Sequence, residues 1–174
     1  MTLFDFFQAE ELPVPAITPV QAGEIAREHF GVAAVITPLG SQQDANFLLS
    51  ESGGGPTGVL KIANPAFSRI ELEAQDAAAA YIAQAEAGVR TATNVEPAGH
   101  PPIAELRTEQ GTLFARIITH LDGGTMSGAH YLTPTRVAAL GTLAGRTCRA
   151  LADFEHAGVD RVLQGDLRHG LRTV

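Results

Sequence analysis

Residues 57–65, "TGVLKIANP", set one lysine, Lys61, inside an apolar run of Val59, Leu60, Ile62 and Ala63. Lys61 is the only lysine among 174 residues, all other basic side chains being arginine or histidine, so a general need for surface charge does not explain its placement. A lysine within a strand ordinarily lies on the solvated face of a half-buried sheet. Whether Lys61 does more than that depends on the elements around it.

Upstream, residues 18–31, "TPVQAGEIAREHFG", predict a short helix in which Thr18 caps the free amides, Pro19 takes the first helical position and Gly31 makes the left-handed exit. "VAAVITPLG", the polar "SQQDA" and "NFLLSES" then read as two strands around a connecting loop, and "GGGPTG" as a turn. With "VLKIA" as a third strand, residues 32–63 form an antiparallel meander. From residue 66 to about 87 the spacing becomes helical, with Ile70, Ala74, Ala77, Ala78, Tyr81, Ile82 and Ala85 on one stripe and Gly88 ending it. "IAELRT", "EQG" and "TLFARIITHL" give strand, tight turn and strand. After the connector "DGGTMSGAHYL", Thr133 and Pro134 open a long helix to about residue 156, whose expected inner face is Val137, Leu140, Ala144, Cys148, Leu151 and Phe154 or Glu155.

The fold class is therefore α+β: a five-stranded antiparallel sheet with a helix of αC type after the third strand, an N-terminal helix before it and one long helix after it. That order is the order of a protein-kinase-like small lobe. There, the first two strands close a loop over ATP phosphates, the third supplies a lysine, and the next helix supplies an acid that holds the lysine. The expected division is 1–31 as N-terminal extension and helix, 32–122 as the lobe, and 123–174 as a linker and first helix of an incomplete second lobe.

Composition narrows the functions. A formal charge of -7 with 12 scattered basic residues speaks against nucleic acid as a partner. Cys148 stands alone, so no intrachain disulfide can form, which suits a reducing, cytoplasmic setting. The N-terminus carries Asp5, Glu10 and Glu11 where an export signal would be basic and then apolar, and no run approaches the length of a membrane span. The six histidines include no pair three or four apart, and neither HExxH nor CxxC occurs, so no metal-site signature is present.

"PLGSQQDANFLL" at 38–49, "GVLKIANP" at 58–65, "LEAQDAAAAYI" at 72–82, "RIITHLDG" at 116–123 and "LAGRTCRALADFEHAGVDRVLQGDL" at 143–167 resemble, in order and spacing, the aminoglycoside phosphotransferase-like kinases, in the branch that includes hydroxylysine kinase. The resemblance implies that Lys61 binds the ATP phosphates and that Glu73 or Gln75 is its helical partner. Helical spacing instead puts Glu71 nearer the apolar stripe; Glu73 ranks first by resemblance alone. The loop 40–46, "GSQQDAN", has one glycine where the family's loop would be glycine-rich, so its phosphate contacts would come from backbone amides around Gly40 and from Ser41, Gln43 and Asn46. Thr119, His120 and Leu121 match the hinge whose backbone would meet the adenine edge. ATP, magnesium and a small hydroxyl-bearing acceptor are the implied ligands.

"QGDLRHG" at 164–170 imitates the family's catalytic H-G-D loop but fails it: residue 164 is Gln, and the fifth residue beyond Asp166 is Leu171, which cannot hold magnesium. The base and the magnesium ligands are expected beyond residue 174, leaving no catalytic residue and no metal ligand here. A lobe cut off in this way is expected to be inactive alone and to self-associate through the exposed 134–156 helix. Two rivals stand beside it. One is a non-catalytic α+β binding or dimerisation domain of a larger multidomain enzyme carrying a class III aminotransferase region, in which Lys61 would be dispensable. The other is a self-contained enzyme with Asp44, His120 or Asp166 as base.

Overall fold

A computed structural model describes residues 14–124, 126, 131–161 and 171. Helix α1, Pro19–Phe30, opens on a reciprocal cap: Thr18 Oγ1 accepts from the Gln21 amide at 3.3 Å, and Gln21 Oε1 accepts from the Thr18 amide at 2.9 Å. Gly31 ends it at φ 66°, a conformation open to glycine at little steric cost. Strands β1 (Val35–Leu39), β2 (Ala45–Ser50) and β3 (Pro56–Ile62) follow, then helix α2 (Arg69–Ala85) and the hairpin β4 (Ala104–Thr108) and β5 (Gly111–Ile118). Helix α3 (Pro134–Ala150) and a 3₁₀ turn (Ala157–Val159) complete the described elements.

The strands make one sheet of order β1-β2-β3-β5-β4, antiparallel throughout. The expected α+β class, five strands and element order are all present. Alternation along each strand separates two faces. On one, Phe47, Leu49, Leu60, Ile62, Leu106, Leu113, Ala115 and Ile117 pack with Ala22, Ala26 and Phe30 of α1 into the main core. On the other, Leu72 of α2 packs with Ala63, Ile103, Phe67 and Phe114. The registers Asn46↔Lys61 and Lys61↔Arg116 place these three side chains in one row across β2, β3 and β5, on the face that α2 covers.

Two helices depart from their expected form. Helix α2 starts at Arg69, and it buries Leu72, Ala74 and Ile82, whereas Ile70 and Tyr81 of the anticipated stripe are exposed. The stripe misleads because the sheet-facing side carries Gln75 and Asp76, which bond Arg116 of β5, so hydrophobicity alone does not mark the contact face. Ile70 instead borders the 3₁₀ turn: a Cβ on Gly158 would collide with the Ile70 carbonyl, so glycine lets this turn lie directly on α2.

Helix α3 ends at Ala150, six residues short of expectation, and only Ala150 of it is buried. Val137, Leu140 and Leu143 are exposed, as is Cys148. Its C-terminal half is tied to α2 by Arg146 Nε and Arg149 Nη2, 2.9 and 2.5 Å from the two oxygens of Glu86, and by Ala150 and Leu151 against Ile82 and Val89. Its N-terminal half has no covering element among the described residues. Residues 125 and 127–130 of the connector and the whole of "QGDLRHG" at 164–170 lie outside the described residues.

Candidate functional site

The row Asn46, Lys61, Arg116 is polar in central strands whose neighbouring positions are the apolar Phe47, Leu60, Ile62, Ala115 and Ile117. Lys61 Nζ lies 3.1 Å from Asp44 Oδ2 and donates to Asn46 Oδ1 at 3.2 Å. Asp44 is on the loop between β1 and β2, and its other oxygen accepts from the Asn64 amide at 3.0 Å, where β3 has just ended. Asn64, 1% exposed, donates from Nδ2 to the Gln43 carbonyl at 3.0 Å and accepts from the Ala66 amide at 2.9 Å. Ser41 Oγ accepts from the amides of Gln43 and Asp44 at 3.4 and 3.1 Å. The loop is therefore fastened at several points to the end of the lysine strand.

Arg116 is buried, and it fastens α2. Its guanidinium donates to Asp76 Oδ1 at 2.5 Å, Gln75 Oε1 at 2.6 Å and the Leu72 carbonyl at 2.9 Å, a fan of donors suited to its planar fork. Asn94 donates to Asp76 Oδ2 at 2.6 Å and to the Pro102 carbonyl at 3.2 Å. Burial pushes the Asp76 carboxyl up, with the charge of Arg116 and the Asn94 and Arg116 hydrogen bonds opposing it. Burial likewise lowers Arg116, with the charges of Asp76 and Asp44 opposing. Asp44 thus acts on both cations of the row.

The residues anticipated from sequence fall in three groups. Lys61, Asn46 and the loop carrying Gly40, Ser41 and Gln43 come together. The helical candidates do not reach the lysine: Glu73 pairs with Arg69 at 3.4 Å in an exposed i,i+4 contact, and Gln75 bonds Arg116. Glu71 caps Ser68 at 2.7 Å and pairs with Arg161 at 3.0 Å. The expected partnership of Lys61 with Glu73 or Gln75 is therefore replaced by one with Asp44, because α2 spends its sheet-facing polar groups on Arg116. The third group, 119–121, leaves β5: the Thr119 amide donates to the Thr93 carbonyl at 2.8 Å, Thr119 Oγ1 accepts from the Thr93 amide at 3.1 Å, His120 Nδ1 is 3.4 Å from Asp122 Oδ1, and Leu121 is exposed.

Sequence reasoning missed Arg116, Asp76 and Asn94, and considered Asp44 only as a base. The one available signal was Arg116 itself, a lone charge within the apolar "TLFARII" of a central strand. Chemically, the site offers an ammonium fixed by two acceptors, with three donors in all, beneath a loop whose turns are already formed. That combination can neutralise and orient an anion. Among the described residues no group of three His, Cys, Asp or Glu side chains could hold a metal ion, and Asp44 and Asp76 are each paired with a cation.

The sequence model of the phosphotransferase enzyme family, APH, matches residues 35–173, which take in the whole sheet, α2 and α3. The chain belongs to the phosphotransferase enzyme family. Similar solved structures are the microcompartment-associated aminopropanol kinase, 16% identical with a TM-score of 0.65, and the amicoumacin kinase hAmiN in complex with AMP-PNP, Ca2+ and Ami, 18% identical with a TM-score of 0.58. The first match covers 86% of this chain and 46% of the other, the second 70% and 36%. The chain thus spans less than half of either kinase. At these identities the likeness establishes the fold, a protein-kinase-like small lobe. No curated protein matches the chain. Among the described residues no helix is long and apolar enough to cross a membrane.

Proposed function

We propose that this phosphotransferase-family chain is the ATP-binding lobe of a small-molecule kinase. In this reading Lys61 meets the α- and β-phosphates, the loop 40–46 covers them, and the backbone at 119–121 meets the adenine edge. The observation that carries it is the placement of the sole lysine: on the α2 side of the sheet, held by Asp44 and Asn46 beneath the loop, with its side chain 22% exposed. A lysine serving only solubility would have no need of two fixed acceptors. Phosphoryl transfer relies on positioning and charge neutralisation, and a compact ammonium on a stiff strand supplies the second without reacting.

The acceptor in the intact protein we infer to be a hydroxyl of an amino alcohol or similar metabolite. Support comes from the resemblance to the hydroxylysine kinase branch and from the aminopropanol kinase among similar structures. Residues 32–122 would be the lobe proper, 1–31 its extension, and 123–174 the start of the acceptor lobe. Magnesium and the catalytic base would be held outside the described residues. A cytoplasmic setting fits ATP as donor.

The test is equilibrium binding of Mg-ATP to the wild-type chain and to Lys61→Ala. Saturable binding that the substitution weakens at least about tenfold is expected, for the loss of a charge-assisted contact. Equal binding by both, or by neither, would favour the rival reading as a non-catalytic interaction domain. The exposed Val137, Leu140 and Leu143 of α3 are the feature that speaks for that rival, although an unpartnered helix is also what the kinase-lobe reading expects.

A further inference from the structure

We propose that Asp44 is the positioning residue for Lys61, acting from the β1–β2 loop in place of an acid on α2, while Arg116 and Asp76 take over the anchoring of α2. The role given to phosphate rests on the nucleotide-lobe reading; the Lys61–Asp44 assignment stands on geometry. Every polar side chain on the first half of α2 that could have reached the lysine is engaged elsewhere: Glu71 by Ser68 and Arg161, Glu73 by Arg69, Gln75 by Arg116, Asp76 by Arg116 and Asn94. Asp44 is the one acid paired with Lys61 among the described residues.

Two consequences follow from the Asp44 carboxylate having both oxygens in use. One oxygen holds the Asn64 amide and the other the ammonium, so the loop, the end of β3 and the lysine tip form one unit. With Asn46 as second acceptor, two ammonium donors are taken and the third is left to reach a phosphate oxygen arriving under the loop. Helix α2 is clamped through Arg116 and gives Lys61 no acidic partner of its own.

Two measurements on the full chain decide this. Treating wild-type protein with a carbodiimide activates carboxyl groups, and an amine in contact displaces the urea to form an amide with loss of one water overall. Because there is one lysine, peptide mapping by mass spectrometry should find Lys61 joined to Asp44; Lys61 joined to Glu71, Glu73 or Asp76 instead would overturn the assignment. In the second, AMP-PNP with magnesium is titrated into Asp44→Asn, Asp44→Glu and Glu73→Gln, with thermal melts confirming that each is folded. Asp44→Asn keeps an oxygen for the Asn64 amide but loses the charge, and should bind about tenfold more weakly, on the scale of one charge-assisted hydrogen bond. Asp44→Glu should recover most of the loss, and Glu73→Gln should match wild type. Wild-type binding by a folded Asp44→Asn, or equal weakening by Glu73→Gln, would refute the positioning role. Should Asp44→Asn fail to fold, the cross-link on wild-type protein decides. Absence of any lysine-dependent nucleotide binding would sink the nucleotide reading itself and leave the cross-link to judge Asp44.

Discussion

The two cations of the row differ in what their removal exposes. Arg116, its side chain 6% exposed, is buried against an Asp76 that is 18% exposed, and a buried cation that loses its partner is left as an uncompensated charge. Asp76→Ala should therefore cost about 3–5 kcal/mol, read as a drop in the urea midpoint. Lys61→Ala should cost less, about 1 kcal/mol, since Lys61 itself is 22% exposed and the Asp44 it leaves behind keeps its hydrogen bond from the Asn64 amide. An Asp76→Ala protein as stable as wild type would show that α2 is held by its apolar contacts alone. This division was only half legible in the sequence. Lys61 stood out because no other lysine exists, but its partner did not. Choosing among Glu71, Glu73 and Gln75 required the rotation of α2, which is set by Arg116, 41 residues beyond Gln75.

Among the helices, α1 and α3 announced their starts through Thr18-Pro19 and Thr133-Pro134, and the structure places both caps as written. Their ends and faces were harder, because caps are local and faces depend on what packs there. The junction of α2 and α3 rests on Glu86, whose carboxyl the hydrogen bonds from Arg146 and Arg149 hold below the ordinary glutamate value; Arg146 also donates to the Ala87 carbonyl. A lowered carboxyl contributes stability that is present above the unfolded value and lost as pH falls through the folded one. Acidification below the ordinary glutamate range should thus loosen α3 from α2 first, seen as faster amide exchange in residues 143–151 before the sheet, and Glu86→Gln should loosen α3 near neutrality as well. Asp76 has the opposite sign: its raised value eases protonation in the folded chain, so its titration does not weaken the fold in that window. Exchange that begins in the sheet and leaves 143–151 protected would contradict this account of the junction.

The order of elements was the most informative feature of the whole chain, since each strand signal was weak and the sequence helix, strand, loop, strand, turn, lysine strand, helix, hairpin admitted few architectures. What order cannot convey is which surface is left uncovered. Val137, Leu140 and Leu143 stand three residues apart along α3 and are all exposed, an apolar line on one side of a helix. Self-association through this face is the expected outcome, measurable as a concentration-dependent mass by sedimentation, and Leu140→Asp should shift it to the monomer. A strictly monomeric wild-type chain at high concentration would refute it.

The central claim is that the ammonium of Lys61 forms the floor of a phosphate site beneath the 40–46 loop. A crystal structure of the chain with AMP-PNP and magnesium tests it most directly. Density for the triphosphate within hydrogen-bonding distance of Lys61 Nζ, with the Asp44 contact retained, is the predicted result; nucleotide bound elsewhere, or Lys61 turned from it into solvent, would contradict the account.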